Sequence, residues 1–346
     1  MPTSATAIVT ADRTTPRLRV GLIGCGFMGR THAQAYRSYP QTDLVAVCDA
    51  DTARAADLGR EMGAQSYTAF TDMLANEQLD LVSVVTPDTL HAEPTIASLD
   101  AGAHVLVEKP IAVDLSEARQ MVAAADRFGR KLAVNFNRRF SRPFALAREY
   151  QATGRLGDPA YVLLRVSLAP GRPSTNPYEL SFDSLIHLVD LARCFGGDVA
   201  SVTAHMADVR REGKYHNVAI GLRFAHGGVG TIVGSWDGSR LHPIEYAEIG
   251  GTAGRVEVDN VVGSFAYRPA DSDIVNSWTP QPFGGRHHLL QFYPTTVEQH
   301  LAELVPALIE GRDPPVTGAD GLAALRILVA AIRSFESGTA VAPASV

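Results

Sequence analysis

The most constraining feature of the chain is Gly24-Cys25-Gly26-Phe27-Met28-Gly29, set between the apolar run "RLRVGLI" and "FMGRTHAQAY", whose apolar residues recur at helical spacing. A G-x-G-x-x-G turn is weak evidence alone, because glycine suits any tight turn. Here it joins a strand to a helix, and Asp49 ends the next strand, 20 residues past Gly29. That context suits a dinucleotide. The glycines let backbone approach a pyrophosphate, the helix N-terminus meets its charge, and the carboxylate grips the adenosine ribose. Asp49 repels a 2′-phosphate and Ala50 offers no cation for one, so NAD is expected over NADP; Arg54, on the following helix, is the group that could oppose this preference.

The alternation continues through the strand "DLVAVCDA", the helix "DTARAADLGREMG", the strand "LDLVSVVTP", the helix "HAEPTIASLDAG" and the strand "HVLVEKP". The helix "DLSEARQMVAAADRFGR" and the strand "KLAVNFNRRF" follow, the helix opened by Asp114 three residues before Glu117 and stopped at Gly129. Apolar strands without polar alternation mark a parallel sheet covered on both faces. Residues 18–139 therefore read as a doubly wound α/β (Rossmann) domain, preceded by a polar tail over 1–17 and followed by a second domain over 140–346.

The 346 residues suit two domains, and 46% hydrophobic with 20% charged residues supplies cores without general disorder. A net charge of −6 and the lack of basic runs argue against nucleic acid or an anionic membrane as partner. Cys25, Cys48 and Cys194 are too few and too scattered for a disulfide framework or a zinc site. No apolar run reaches the ~18 residues of a membrane span. The first residues lack the charge-then-apolar pattern of a signal peptide, so a soluble cytoplasmic protein is expected.

Ligands of a doubly wound sheet bind beyond the carboxyl ends of its strands. Thr86-Pro87 and Glu108-Lys109-Pro110 stand at such ends, each with a proline that holds the preceding residue extended, and Lys109–Pro110 is a candidate cis bond. Position favours Lys109 as a functional cation over half of a surface ion pair. In "SFDSLIHLVDLARCFGG", an expected amphipathic helix, Asp183 and His187 share a face and Asp190 lies three residues on. A histidine beside a carboxylate suits proton transfer. By themselves, though, these residues read more simply as an ordinary i,i+4 pair.

Taken together and in order, "GLIGCGFMGRTHAQAY", "VVTPDTLHAE", "VLVEKPIAVDLSEA", "FNRRF" and "DSLIHLVDL" resemble the Gfo/Idh/MocA oxidoreductases, the glucose–fructose oxidoreductase and inositol dehydrogenase family; the resemblance runs from about residue 18 to about 340. It implies a Rossmann domain followed by an α/β domain with a large, open, mostly antiparallel sheet, with substrate held between nicotinamide and that sheet. It implies an NAD(P)-dependent dehydrogenase or reductase acting on CH–OH groups, with Lys109, Asp183 and His187 as the catalytic set. The histidine would take a hydroxyl proton, the lysine would donate a hydrogen bond to the same oxygen, and the aspartate would support both. Cofactor contacts are then expected from Gly24, Gly26, Phe27, Met28, Gly29, Asp49, Thr86, Pro87, His91, Glu108, Lys109, Asn137 and Arg138, with Arg139 bracing the domain junction. The chain departs from the family where Leu180-Ser181-Phe182 and Leu185 stand in place of common glycines, and where Asp88 replaces a frequent asparagine.

In the second half, "PAYVLLRVSLA", "VASVTAHMADV", "NVAIGLRFAHGGVGTIVGSWD", "YAEIGGTAGRVEVDN" and "SFAYRP" read as strands, several alternating as a sheet with one covered face should. The other face is expected to form a homodimer or homotetramer. Two long irregular stretches, 170–180 and 271–293, are candidate binding loops. Arg172, Asn176, Tyr178, Trp236, Arg286, His287 and His288 are the groups expected near a sugar-like ligand, alongside Lys109. His287-His288 has no companions at metal-ligand spacing, and no metal is expected. The leading expectation is hydride exchange between NAD and a cyclic polyol or sugar. The alternatives are redox-assisted glycoside cleavage, reduction of a 3-keto nucleotide sugar, and a ligand sensor without chemistry; the intact Lys109, Asp183 and His187 set argues against the last.

Overall fold

The structure, a computed structural model, describes residues 16–168, 175–238, 244–280 and 294–346. The expected tail thus lies almost wholly outside the described residues.

Five αβ repeats open the chain: β1 (Leu18–Ile23), α1 (Phe27–Ser38), β2 (Thr42–Cys48), α2 (Thr52–Met62), β3 (Gln65–Tyr67), α3 (Phe70–Asn76), β4 (Leu81–Val84), α4 (Ala92–Asp100), β5 (His104–Val107) and α5 (Leu115–Phe128). With β6 (Leu132–Val134) they form a six-stranded sheet in the order β3-β2-β1-β4-β5-β6, every pair parallel. This is the doubly wound order that opens a crevice where the strand order reverses, beyond β1 and β4. Helix ends follow local chemistry. Asp51 and Asp114 each accept two backbone N–H groups at the starts of α2 and α5, and Gly63 and Gly129 end those helices in the left-handed region. The short β3 and α3 carry too few apolar residues to be seen as periodic elements. The expected strand over residues 131–140 is shorter in the fold: only Leu132–Val134 pairs, and Asn137–Phe140 forms a 3₁₀ turn that swings into the next helix.

The second sheet follows α6 (Arg142–Ala152), and its first strand is β7 (Pro159–Ser167). A π-type turn (Ser181–Leu185) leads into α7 (Ile186–Gly196). The remaining strands are β8 (Val199–Ala207), β9 (Asn217–Phe224), β10 (Val229–Ser235), β11 (Glu245–Gly251), β12 (Gly254–Asp259), β13 (Ser264–Pro269) and β14 (Asn276–Trp278). Their order is β14-β13-β12-β11-β7-β10-β9-β8, antiparallel except where β10 runs parallel to β7. The stretch from 271 is therefore not structureless throughout, since β14 pairs with β13 inside it. Helix α7 is not amphipathic in the solvated sense expected. Nine of its eleven residues are buried, because it lies under the sheet.

Two helices close the chain, α8 (Thr295–Ile309) and α9 (Gly318–Ser337). Val297, Leu301, Leu304, Val305 and Leu308 of α8 share a core with Val20 and Leu22 of β1 and with Ala33 and Tyr36 of α1. Helix α9 opens on a reciprocal Thr317–Asp320 capping box and packs among α5, α7 and β8. Leu185, which stands in place of a common family glycine, is accommodated because β10 carries Gly234: a Cβ there would meet Leu185 Cδ2 at 2.4 Å.

Candidate active site

The glycine turn has the geometry that a phosphate cradle needs. Gly24 has φ of +106°, and a Cβ there would strike Val85 O at 2.4 Å. At Gly29 a Cβ would come to 1.9 Å from Gly24 O, so that glycine lets α1 sit close on the turn. In contrast, a Cβ at Gly26 would meet nothing within 4 Å; it would project into open space at the start of α1. Asp49 closes the far side of the turn. Its Oδ2 accepts from Cys25 N and its Oδ1 from Asp51 N, both at 2.8 Å, which fixes the carboxylate at the tip of β2. Arg54 lies 3.9 Å from Asp49 and donates to Asp51 at 2.9 Å. Both cysteines near the turn are buried, and burial pushes their thiols up, Cys25 to about 12 and Cys48 to about 11. They serve as core residues.

From here a cleft of about 1570 Å³ runs along the strand ends. Gly24, Gly26, Phe27, Met28, Asp49, Arg54, Thr86, Pro87, His91, Glu108 and Lys109 line it from the first domain, and Glu179, Asp183 and Trp236 from the second. A dinucleotide fits this set: an open cradle, a fixed carboxylate for the ribose, and a long apolar-walled trough. The residues that would hold NAD are those of the glycine turn with Asp49, Thr86 and Pro87. His91, although at the cleft, turns its ring to backbone. Its ring nitrogens sit 2.9 Å from Pro110 O and 3.0 Å from Thr86 O; burial lowers its proton affinity, and the neutral ring, with one N–H, donates to one of these two carbonyls.

At the junction of the domains Lys109, which precedes a cis peptide to Pro110, reaches across to the second domain. Its Nζ donates to Asp183 O at 2.8 Å and lies 3.4 Å from Asp183 Oδ1. One turn on, His187 is buried to 3% exposure, edge-on to Phe136, and its Nδ1 has no hydrogen-bond partner among the described residues. Its proton affinity is held well below the ordinary imidazole value, first by burial and then by the positive charges of Arg138 and Lys109. The expected Asp183–His187 pair is not joined through Nδ1: Asp183 is engaged with Lys109 and with the Ser184 hydroxyl.

Other expected site residues fall elsewhere. Asn137 donates to Thr296 Oγ1 at 2.9 Å and is buried, and Arg138 pairs with Glu245 of β11 at 2.9 Å; neither lines the cleft. Arg139 does brace the junction, through two bonds to Asp190. Tyr178 points away from the cleft: its hydroxyl donates to Glu336 and its ring stacks on Tyr215. Asn176 accepts from Tyr178 N and shapes the same loop. Trp236 lines the cleft and is 4% exposed. Arg172, Arg286, His287 and His288 lie outside the described residues. Glu179 was not anticipated; it sits in a segment with no motif and lines the cleft beside Asp183 and Trp236, whereas Glu245 is buried against Arg138 away from it. Among the described residues no cluster of metal-ligating side chains occurs, and no helix is long and apolar enough to cross a membrane.

A parallel sheet with a glycine cradle, and a cleft that runs from it to Glu179, Asp183 and Trp236 of the second domain, where Lys109 meets Asp183, define a two-domain NAD-binding oxidoreductase. Comparison with known proteins gives the particular lineage. The family described as "Oxidoreductase family, NAD-binding Rossmann fold" matches residues 18–136, and the "GFO/IDH/MocA C-terminal domain" matches residues 144–257. The chain belongs to the Gfo/Idh/MocA family, and it is an NAD-dependent oxidoreductase of the dehydrogenase class. It is 29% identical to D-apiose dehydrogenase of Paraburkholderia graminis, over 98% of this chain and 93% of that one. It is 28% identical to myo-inositol 2-dehydrogenase of Thermotoga maritima, over 92% and 96%. Among solved structures it resembles the WlbA dehydrogenase from Bordetella pertussis in complex with NADH and UDP-GlcNAcA, with a TM-score of 0.80, 26% identity, and 95% and 98% of the two chains covered.

Proposed function

We propose that this chain exchanges a hydride between NAD and a hydroxyl-bearing carbon of a cyclic polyol or a sugar, with Lys109, Asp183 and His187 as the catalytic set. The observation that carries the reading is the meeting of Lys109 with Asp183 beside a buried imidazole whose Nδ1 has no partner among the described residues. NAD, when bound, supplies the hydride acceptor. The imidazole is uncharged at neutral pH, so it can take the hydroxyl proton as hydride leaves. Lys109 carries the positive charge that steadies the oxygen as it loses that proton, which is most effective in a site from which water is excluded. Asp183 holds the ammonium in place through its backbone carbonyl and its carboxylate. The names of the relatives, an apiose and an inositol dehydrogenase, support a polyhydroxylated substrate.

The test is a panel of inositols, free aldoses including apiose, nucleotide sugars and aryl glycosides, followed by NADH absorbance with glycoside loss measured in parallel. Absorbance growth with one free polyol or sugar supports the reading and begins to name the substrate. Glycoside loss without net NADH replaces it with redox-assisted cleavage, and reduction of only a 3-keto nucleotide sugar replaces it with that reductase.

The domain roles follow the same reading: residues 18–139 carry NAD, and residues 140–346 carry substrate and subunit contacts. The uncovered face of the second sheet displays Leu163, Val229 and Val233, each at least 40% exposed, as an apolar strip across β7 and β10. We place a homo-oligomer interface there. Light scattering that gives a monomer at micromolar concentration overturns it.

A further inference from the structure

Glu108 precedes Lys109 and touches the cleft, yet its carboxylate turns inward. Oε1 lies 2.8 Å from His32 Nε2 and accepts from Asn135 Nδ2 at 2.6 Å, while Oε2 accepts from Lys109 N at 3.2 Å. Asn135 Oδ1 is in turn 2.8 Å from His300 Nδ1, on α8. The amide of Asn135 can stand only one way round, because the reverse would aim its oxygen at the carboxylate. Oδ1 is then an acceptor, so His300 Nδ1 must carry hydrogen. His300 is fully buried and stacked on Phe140 at 4.1 Å, and burial holds its proton affinity down to about 3, so the ring is neutral with that one tautomer. Glu108 is ionised: the bonds from His32 and Asn135 outweigh its burial and hold it at about 2.

These groups join four separate segments, α1, the ends of β5 and β6, and α8, by buried polar contacts. Such contacts are costly unless satisfied, and when satisfied they rigidify what they touch; the groups between α1 and His300 Nδ1 are hydrogen-bonded to one another, and the bare acceptor His300 Nε2 has no partner among the described residues. What this set touches is the backbone N–H from which Lys109 departs. We propose that His300, Asn135 and Glu108 form a positioning chain for Lys109, so that the helix near the carboxyl end of the molecule helps aim the ammonium at Asp183. Its catalytic meaning rests on the role of Lys109 given above; its geometric content does not.

The chain has three lysines, Lys109, Lys131 and Lys214, which makes a direct readout possible. Reductive methylation with ¹³C-formaldehyde gives three lysine dimethylamine NMR signals, and Lys109→Arg assigns one of them. The parent protein with NADH is expected to show the Lys109 signal displaced from the two others. His300→Phe keeps a ring for the stack on Phe140 but deletes the donor; it should move the Lys109 signal toward the exposed positions. His300→Asn, which can present an amide N–H where Nδ1–H stood, should restore it. Glu108→Gln, which keeps the shape and removes the charge, should release the signal as well and serves if His300→Phe does not fold. An undisplaced parent signal, or one unmoved by both His300→Phe and Glu108→Gln, overturns the proposal. Turnover on the substrate found in the panel should fall about 10- to 100-fold in His300→Phe, as expected for a small misplacement of a reacting group, with NADH affinity within about twofold of the parent and recovery in His300→Asn. Full turnover in Lys109→Met would remove the catalytic reading while leaving the NMR outcome to decide the geometric one.

Discussion

Replacing Lys109 with methionine keeps most of the side-chain stem and deletes one charge, so its consequences can be worked from the site. The ammonium donates to Asp183 O at 2.8 Å and its side chain is 20% exposed, so it acts in a partly desolvated place. Loss of a donor aimed at a developing oxyanion costs about 10²- to 10³-fold in kcat, or about 3–4 kcal/mol. NADH affinity should stay within a few fold, because the cradle at Gly24–Gly29 and the ribose carboxylate at Asp49 belong to other strand ends. A second signature follows from charge. After burial, the charges of Arg138 and Lys109 hold the proton affinity of His187 down, so removal of Lys109 raises that affinity. The base must be unprotonated to work, so the acidic fall-off of kcat/KM, expected below 6.5 in the parent, should move to higher pH. Stopped-flow hydride transfer across pH, with NADH binding followed by fluorescence, measures all three. A variant within threefold of the parent, with its acidic limb unmoved, would refute the reasoning.

Arg138→Met combined with Glu245→Gln removes a second positive charge that acts on His187 without leaving a buried carboxylate unpaired, and it too should move the acidic limb upward in pH-rate profiles. Asp49→Ser removes the charge that opposes a 2′-phosphate while Arg54 remains 3.9 Å from the old carboxylate; the NAD-to-NADP preference, read as a ratio of Kd values, should narrow by about tenfold or more. Gly29→Ala sets a Cβ 1.9 Å from a backbone oxygen, so α1 must move off the turn; calorimetry should find NADH binding weakened by about tenfold or more together with a lower Tm.

Much of the first domain was legible in the sequence because its signals are local. A glycine turn between a strand and a helix, a carboxylate at the next strand end, and Asp114 and Gly129 at the two ends of α5 each depend on a few neighbouring residues. The motifs that resemble the family likewise marked Lys109, Asp183 and His187. The short β3 and α3 escaped notice because three or seven residues cannot display a period. The 3₁₀ turn at Asn137–Phe140 read as strand because apolar residues flank it.

The tertiary structure decided which polar groups face the cleft and which are consumed elsewhere. Nothing local announces that Arg138 will meet Glu245, 107 residues away, or that Tyr178 will turn to Glu336 on the last long helix. Asp183 was paired with His187 by helical spacing, but a lysine brought by another domain takes its carboxylate first. His300 carried no motif and lies 165 residues from its partner Asn135. The reason is physical. Backbone conformation is biased by neighbouring residues, whereas a buried charge or amide takes whichever complementary group packing brings within reach, and desolvation makes that choice binding.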